Sequence, residues 1–202
     1  MRDLWNQRFA QEGWAYGKRP NAYLKSCIEK LTPTLACFPA DGEGRNAVWA
    51  ASKGWECTVF DYAEEGAKKC KILAEEKNVH VKYIVEDLQS IELEVTDLIA
   101  CSWFHTPPEV RKVHMPRILH SLRVGGHFIM EGYHKNQLGK KSGGPQNFDL
   151  LFDLDEVLSE LRGDLAPQME VIEACVTECV LDESELHRGL ASVVRIWLKR
   201  TG

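Results

Sequence analysis

The sequence predicts an α/β fold, a doubly wound and mostly parallel seven-stranded sheet that ends in an antiparallel C-terminal edge hairpin. Short apolar runs alternate with helix-like stretches from Leu35 to Met130, which is the β-α-β rhythm of a parallel sheet covered on both faces. A glycine-rich turn follows the first apolar run. The last third instead holds two β-rich runs, Glu170–Leu181 and Ala191–Leu198, with no helix between them. Such runs are expected to pair antiparallel.

The elements follow one another in a regular order. Apolar residues at helical spacing between Asn21 and Leu31, just before Pro33, predict a covering helix. The predicted parallel strands are Leu35–Phe38, Cys57–Phe60, Val81–Val85, Asp97–Ser102 and His127–Met130. The predicted helices between and after them are a stretch ending at Ser52, then Glu64–Lys77, Pro108–Leu122 and an acidic helix near Asp153–Leu161.

Length and charge limit the class of protein. The 202 residues suit a single domain, 1–202, in which residues 1–32 form an N-terminal covering segment. A net charge of -5 gives no net attraction to nucleic acid or to anionic membranes. No apolar run approaches the roughly 20 residues that span a bilayer, and the N-terminus lacks a signal-peptide core. We therefore expect a cytoplasmic protein with a small-molecule partner, monomeric by default with a dimer as the alternative.

Cysteine and histidine spacing predicts no metal site. The seven cysteines form no C-x-x-C pair, so we expect reduced, buried thiols. Cys175 and Cys179 share one face of a predicted strand, where small core residues are favoured over a metal or redox pair. The seven histidines show no known ligand spacing either.

The glycine turn predicts a cofactor site. Gly42 and Gly44 have no Cβ, so backbone N–H groups can approach a ligand at the positive end of the next helix. The pattern Gly42-x-Gly44-x-x-Ala47 also fits the dinucleotide fingerprint. The turn alone therefore leaves both a nicotinamide cofactor and S-adenosylmethionine open. The C-terminal hairpin favours the second, because a nicotinamide-binding domain would normally continue with a further crossover helix.

Residues at the ends of the strands are the candidates for ligand contact. Asp61 ends the second strand 17 residues beyond Gly44, where it either accepts hydrogen bonds from ribose hydroxyls or caps the following helix. Asp87 stands after the third strand, as an adenine contact or a plain loop acid. Trp103 and Phe104 follow the fourth strand, and they either face a sulfonium and its adenosine or pack in the core.

Candidate catalytic residues lie near the same ends. His105 is the candidate general base, with fixing of its loop as the equally weighted alternative. His187 and Arg188, together with Arg195, would gather an anionic substrate. Glu131 would either hold a cationic group of the substrate or position His105.

A series of short motifs runs along nearly the whole chain. They are Trp5 with Arg8 and Phe9, Tyr16-Gly17-x-x-Pro20-Asn21, Gly42-Glu43-Gly44-Arg45-Asn46-Ala47, Phe104-His105-x-Pro107-Pro108, Leu122-Arg123-x-Gly125-Gly126, Glu131-Gly132-Tyr133, Gly143-Gly144-Pro145 and His187-x-Gly189. In this order and spacing the chain resembles the class I S-adenosylmethionine-dependent methyltransferases, in particular the small subfamily of tellurite-resistance and thiopurine-type enzymes. The resemblance implies a Rossmann-like methyltransferase fold, S-adenosyl-L-methionine as cofactor, and methyl transfer to a small molecule such as a thiol or a chalcogen oxyanion.

The resemblance also implies where the cofactor lies. It assigns the methionine end to the glycine turn with Asp41, the ribose to Asp61, and the adenine to Asp87 with Leu88. An N-terminal segment from Trp5 to Asn21 would close over the site. The implied cofactor-binding residues are Trp5, Tyr16, Asn21, Ala40, Asp41, Gly42, Gly44, Arg45, Asn46, Asp61, Tyr62, Glu86, Asp87, Leu88, Trp103 and Phe104.

Two residues depart from the family pattern, Phe38 and Val124, and the second replaces the usual proline before Gly125-Gly126. Phe38 stands at the end of the first strand, where the family usually has an acid. Two alternatives stay open beside a methyltransferase. The glycine pattern and Asp61 also fit an NAD-dependent oxidoreductase, and Phe38 leaves open a catalytically inactive cofactor-binding module.

Overall fold

One sheet organises the chain, which a computed structural model describes over residues 2–202. The strands are β1 (Leu35–Pro39), β2 (Glu56–Asp61), β3 (Val81–Val85), β4 (Thr96–Ser102), β5 (Leu122–Tyr133), β6 (Met169–Ser184) and β7 (His187–Arg200). The helices are α1 (Arg2–Phe9), α2 (Ala22–Ile28), α3 (Arg45–Ala51), α4 (Glu64–Glu76), α5 (Pro108–Leu119) and α6 (Leu154–Arg162).

The strand order confirms the predicted fold class. Over residues 2–202 the sheet has seven strands in the order β3-β2-β1-β4-β5-β7-β6. The first five pair in parallel, whereas β7 joins β5 antiparallel and β6 joins β7 antiparallel. The order reverses between β1 and β4, and a ligand crevice is expected at the carboxyl ends of strands at such a point.

The predicted strand and helix boundaries need one larger correction. Residues 122–126, expected as the end of a helix and a turn, form the beginning of β5, and α5 ends at Leu119. Thr96 pairs with Leu122 across a register shift, so the backbone of this glycine-containing stretch joins the sheet although its side chains at 123–125 are exposed. β5 also continues to Tyr133, because β7 pairs with it that far.

Alternating strand residues build a core on each face of the sheet. Ile99 and Phe128 pack on the side covered by α5 and α6, whereas Phe38, Leu98 and Ile129 pack on the side covered by α2 and α3. Strands buried on both faces are typical of a doubly wound sheet. The departure at Phe38 therefore places a fully buried aromatic ring in this second core.

The N-terminal segment carries a helix that the sequence pattern did not predict. α1 lies against α4, where the Glu65 N–H donates to Asn6 Oδ1 over 3.1 Å. Phe9 is buried and lies against the glycine turn, since a Cβ added to Gly42 would stand 2.7 Å from its ring. Within residues 2–202, no helix is long and apolar enough to cross a membrane.

The cysteine prediction holds for five of the seven residues. All seven are free thiols, and five of them are buried. The prediction is wrong for Cys175 and Cys179, which are half-buried because they lie on β6, the edge strand beyond β7.

The turn after β1 holds Ala40 in the left-handed region, at φ 51°. This conformation costs a residue with a Cβ about 1–2 kcal/mol. A glycine avoids that cost but loses more conformational entropy on folding, which costs about 0.5–1 kcal/mol. Ala40→Gly is therefore expected to raise the free energy of unfolding by about 0.5–1 kcal/mol, as measured by denaturant unfolding. Ala67→Gly is the matched control in α4 and should lower it by about 1 kcal/mol. Destabilisation by Ala40→Gly would show that the backbone is not strained.

Candidate active site

A cavity of about 590 Å³ opens at the carboxyl ends of β1, β2 and β4. This volume lies within the usual range for small-molecule sites. One half is walled by the glycine turn, by the end of β2 and by the loop after β3. The other half is walled by α1, by the loop after β4, by residues 143–146 and by the tip of the β6–β7 hairpin.

Asp41 holds the shape of the glycine turn. Its carboxylate accepts hydrogen bonds from the backbone N–H groups of Asn46 and Ala47, at 3.1 and 2.9 Å, and from the Asn46 side chain. These bonds satisfy donors of the first turn of α3, which otherwise have no partner within the helix. Burial raises the pKa of Asp41 to about 6. Gly44 lies directly under the turn, where a Cβ would stand 2.2 Å from the Cys70 sulfur.

Asp61 links the turn to β2. One of its oxygens accepts the Gly42 N–H at 3.2 Å and the other accepts the Ala63 N–H at 2.9 Å. Burial raises the pKa of this carboxyl to about 6. A carboxylate has about four lone-pair sites, so each oxygen keeps acceptor capacity beside the cavity.

The loop after β3 brings two further acids to the wall. Glu86 Oε1 accepts hydrogen bonds from the Asp87 N–H and from the Ser90 hydroxyl, which lower the pKa of Glu86. Asp87 Oδ1 accepts the Gln89 N–H at 2.9 Å. Leu88 is buried beside them. Tyr62 lines the same half of the cavity.

Aromatic rings form the wall of the other half. Trp103 stacks on Tyr133 with ring centroids 4.4 Å apart, and Tyr16 lies 4.6 Å from His187. Trp5 of α1 lies 6.1 Å from Tyr16. Trp103 has φ 59°, a conformation that is uncommon for a bulky residue and is often found at functional sites. Phe104 completes the lining from the same loop.

Glu183, near the end of β6, is the site residue that the sequence pattern did not reveal. Its carboxylate accepts from Arg45 Nη2 at 2.8 Å, Trp103 Nε1 at 3.0 Å, Asn21 Nδ2 at 2.9 Å and His187 Nδ1 at 3.2 Å. Burial alone would raise the pKa of Glu183, but the hydrogen bonds and charges of His187 and Arg45 lower it to about 2. An acid beside a predicted hairpin turn carries no sequence signal of this role.

The hydrogen bonds of His105 favour fixing of its loop over the expected role of a general base. Its Nδ1–H donates to the Leu150 carbonyl at 2.8 Å, and Nε2 accepts the Tyr133 N–H at 3.1 Å. Both ring nitrogens are therefore used, and burial lowers the pKa of His105 to about 4. The ring also stacks on Phe152 at 4.4 Å. His105 thus fixes its loop, which was the alternative role.

Most of the residues that the sequence singled out line this one cavity, and five do not: Asn21, Gly44, Glu131, Arg188 and Arg195. Asn21 is buried behind the wall, between Glu183 and Glu131. Arg188 is exposed on β7, so its expected contact with substrate has no support.

Glu131 has neither of its two expected roles. Its Oε2 accepts from Arg195 Nε at 2.6 Å, and its Oε1 accepts from Asn21 Nδ2 at 2.7 Å. Glu131 therefore neither positions His105 nor offers a free oxygen to a substrate, because one oxygen is bonded to Arg195 in the sheet and the other to Asn21 in the N-terminal segment.

The pKa of His105 predicts a pH-dependent stability. The unfolded chain protonates this histidine near 6.5 and the folded protein near 4, so between these values the unfolded state binds more protons. The contribution of neutral His105 to the free energy of unfolding is present in full above pH 6.5 and is lost as the pH falls to about 4. The difference in unfolding free energy between wild type and His105→Gln should therefore shrink over that interval.

Denaturant unfolding at several pH values measures this difference. His80→Gln is the matched control, because His80 is exposed and remote from the cavity, and it should follow the wild type. A gap between wild type and His105→Gln that stays constant from pH 7 to pH 4 would contradict the assignment.

Comparison with known families supports the class of protein. Residues 40–126 match the family model described as "Methyltransferase domain". This range contains the glycine turn, Asp61, Asp87 and the loop after β4. No curated protein sequence matches the chain.

Three solved structures share the fold. TehB from Haemophilus influenzae is 16% identical, with 99% of this chain and 67% of that chain covered and a TM-score of 0.67. The N-methyltransferase NodS from Bradyrhizobium japonicum WM9, in complex with S-adenosyl-l-homocysteine, is 11% identical, with 100% and 98% covered and a TM-score of 0.75. Magnesium protoporphyrin IX methyltransferase (ChlM) from Synechocystis PCC 6803, with bound SAH, is 15% identical, with 99% and 98% covered and a TM-score of 0.70.

The antiparallel strands β7 and β6 separate this fold from a nicotinamide-binding domain, which would continue with a crossover helix. Residues 40–126 match a methyltransferase domain, and the strand order, with the glycine turn at the head of the cavity, gives the chain the Rossmann-like fold of the S-adenosylmethionine-dependent methyltransferases.

Proposed function

We propose that the protein transfers the methyl group of S-adenosylmethionine to a small-molecule thiol, and that both reactants meet in the 590 Å³ cavity. The observation that carries this proposal is the division of the cavity into two chemically different halves. Carboxylates and the glycine turn wall one half, and aromatic rings with Arg8 and His187 wall the other.

The carboxylate half fits the cofactor. Each oxygen of Asp61 accepts one backbone N–H, which leaves lone pairs for the two ribose hydroxyls. Asp87 uses one oxygen for the Gln89 N–H, so the other is available to the adenine amine. The turn from Ala40 to Asn46 would hold the methionine end. When bound, S-adenosylmethionine supplies an electrophilic methyl group on a sulfonium.

The aromatic half suits a soft, electron-rich acceptor. Arg8 Nη1 donates to the Tyr16 hydroxyl at 2.6 Å, and its guanidinium lies over Trp5. Among residues 2–202, no carboxylate lies within 4.0 Å of the Arg8 side chain, so its charge faces the cavity uncompensated. This charge disfavours a cationic acceptor and stabilises the negative charge that develops on a thiol sulfur as it loses its proton.

The protein contributes alignment and exclusion of water to this reaction. Trp103 and Phe104 are placed to face a sulfonium, where a cation–π contact contributes about 0.5–2 kcal/mol. Holding two reactants in line contributes more, about 7–11 kcal/mol. The rings of Trp5, Tyr16 and Trp103 line the cavity, where they would limit competing attack by water.

Product analysis tests the acceptor class. The purified protein is incubated with methyl-labelled S-adenosylmethionine and three separate sets of acceptors: small thiols, chalcogen oxyanions and nitrogen heterocycles. Mass spectrometry should find a labelled S-methyl thioether and an equal amount of S-adenosylhomocysteine. Label that appears on an oxyanion or a heterocycle, with none on a thiol, would overturn the proposed acceptor.

A substitution of Asp61 tests the cofactor position. Asp61→Ala removes acceptors from the two ribose hydroxyls and should weaken binding of S-adenosylhomocysteine by about 1–3 kcal/mol. Isothermal titration calorimetry measures this loss, with thermal unfolding as a check, because Asp61 also holds the turn.

Asp97→Ala is the matched control for that experiment. Its carboxylate bonds to the Leu35 N–H and to Arg123 at the start of β4, away from the cavity. It should leave the affinity unchanged. If wild type and a folded Asp61→Ala protein bind S-adenosylhomocysteine with equal affinity, Asp61 does not bind the ribose.

A further inference from the structure

We infer that Glu183 and His187 form a proton-accepting pair in the acceptor half of the cavity, and that the acceptor therefore arrives as a neutral thiol or hydroxyl rather than as an already ionised oxyanion. In this pair Glu183 holds His187 Nδ1–H, and His187 Nε2 takes the proton of the acceptor. His187 is then a catalytic residue and Glu183 a positioning residue. The inference rests on the proposed function, because it assigns the proton transfer that accompanies that methyl transfer.

The hydrogen bonds of His187 determine which nitrogen is free. Nδ1 lies 3.2 Å from Glu183 Oε2, and an ionised carboxylate only accepts, so the proton of the neutral ring resides on Nδ1. Within residues 2–202, Nε2 has no hydrogen-bond partner, and it is not among the unpartnered polar atoms sealed from solvent. Since His187 lines the cavity, its unprotonated nitrogen is accessible from there.

Glu183 is itself held as a rigid, ionised acceptor. Arg45 Nη2 and Trp103 Nε1 donate to the same oxygen as His187, and Asn21 Nδ2 donates to the other. The Glu183 side chain is 8% exposed. A buried carboxylate with these donors remains charged, so its direction of hydrogen bonding to His187 does not reverse.

Packing fixes the plane of the His187 ring. The ring centroid lies 4.6 Å from Tyr16, 4.9 Å from Trp103 and 5.6 Å from Tyr133. The Gly143 backbone packs against the edge of the ring, because a Cβ added there would stand 2.9 Å from His187 Cδ2. A base held in this way needs little reorganisation before it accepts a proton.

Several charged or titratable groups face His187 from the elements around it. Glu183 of β6 raises its pKa, whereas burial, Arg45 of α3 and Arg8 of α1 lower it, with a net lowering below the ordinary value of 6.5. Tyr16, Tyr133 and His105 lie around the same ring. His187 is consequently neutral at pH 7 and free to accept a proton.

The step is balanced in atoms and charge. The lone pair of the acceptor sulfur or oxygen forms the new bond to the methyl carbon while the carbon–sulfur bond of the sulfonium breaks and its electron pair stays on that sulfur. The acceptor proton passes to His187 Nε2, and Glu183 stabilises the resulting imidazolium. The products are the methylated acceptor, S-adenosylhomocysteine and a proton that His187 releases to solvent.

A series of thiols of different acidity tests the pair. At pH 7, aromatic thiols are largely ionised and alkyl thiols largely protonated. His187→Gln should therefore lower kcat/KM about 100-fold or more for alkyl thiols, and less than about fivefold for aromatic thiols. His80→Gln, at an exposed histidine outside the cavity, should leave both classes unchanged.

The outcomes separate the two levels of the proposal. An equal loss for both classes in His187→Gln would give His187 a purely structural role and overturn the inference, while the proposed function would stand. Methylation of no thiol by the wild type would reject the proposed acceptor and the inference with it. Binding of S-adenosylhomocysteine should be the same in wild type and His187→Gln.

Two measurements test the role of Glu183. In Glu183→Gln, loss of the negative charge should move the acidic limb of the kcat/KM profile for alkyl thiols to lower pH. Because Glu183 also bonds to Arg45, Trp103 and Asn21, this variant is compared only if thermal unfolding shows a folded protein. Imidazole ¹⁵N shifts of His187 in the wild type need no variant and should show a proton on Nδ1. A proton on Nε2 at pH 7 would overturn the inference.

Discussion

One buried carboxylate, that of Glu183, joins four separate parts of this chain. Its donors come from the N-terminal segment (Asn21), from the helix after the glycine turn (Arg45), from the loop after β4 (Trp103) and from the β6–β7 hairpin (His187). A buried charge that loses its partners costs several kcal/mol. Displacement of any one of these segments would therefore weaken the packing of the other three against Glu183. The same contacts that stabilise the fold thereby shape the acceptor half of the cavity.

The two halves of the cavity are built by different kinds of contact. On the cofactor half, Asp41 bonds to residues five and six positions ahead, and Asp61 bonds to the adjoining turn and to its own helix start. On the acceptor half, Trp103 and Arg45 meet Glu183 from 80 and 138 residues away. The carboxylate half of the cavity thus depends on local contacts, whereas the aromatic half depends on how distant parts of the chain pack together.

This difference explains what the sequence could and could not predict. Alternating apolar runs and the helix-free connection before β7 were sufficient to predict the sheet, and the positions of Asp61 and the glycine turn at the ends of strands were sufficient to predict that they line one cavity. The role of His105 could not be predicted from the sequence, because its two hydrogen-bond partners are distant along the chain. They are the Leu150 carbonyl and the Tyr133 N–H at the end of β5. Glu183 was missed for the same reason. α1 gave too little periodic signal, since its one buried residue is Phe9.

Two glycines of the N-terminal segment differ in how closely they are packed, and this difference determines where the segment could rotate. Gly17 is pinned, since any added Cβ would stand 2.5 Å from the Glu183 carbonyl oxygen, whereas Gly13 has open space around it. Asn21 is anchored further by Glu131 and Glu183. A rotation at Gly13 would carry Trp5 outward and leave Tyr16 against the His187 ring, so the aromatic half of the cavity would be uncovered first. The methylated product would then leave past α1, while the carboxylates and the glycine turn on the far side keep their shape for the next nucleoside.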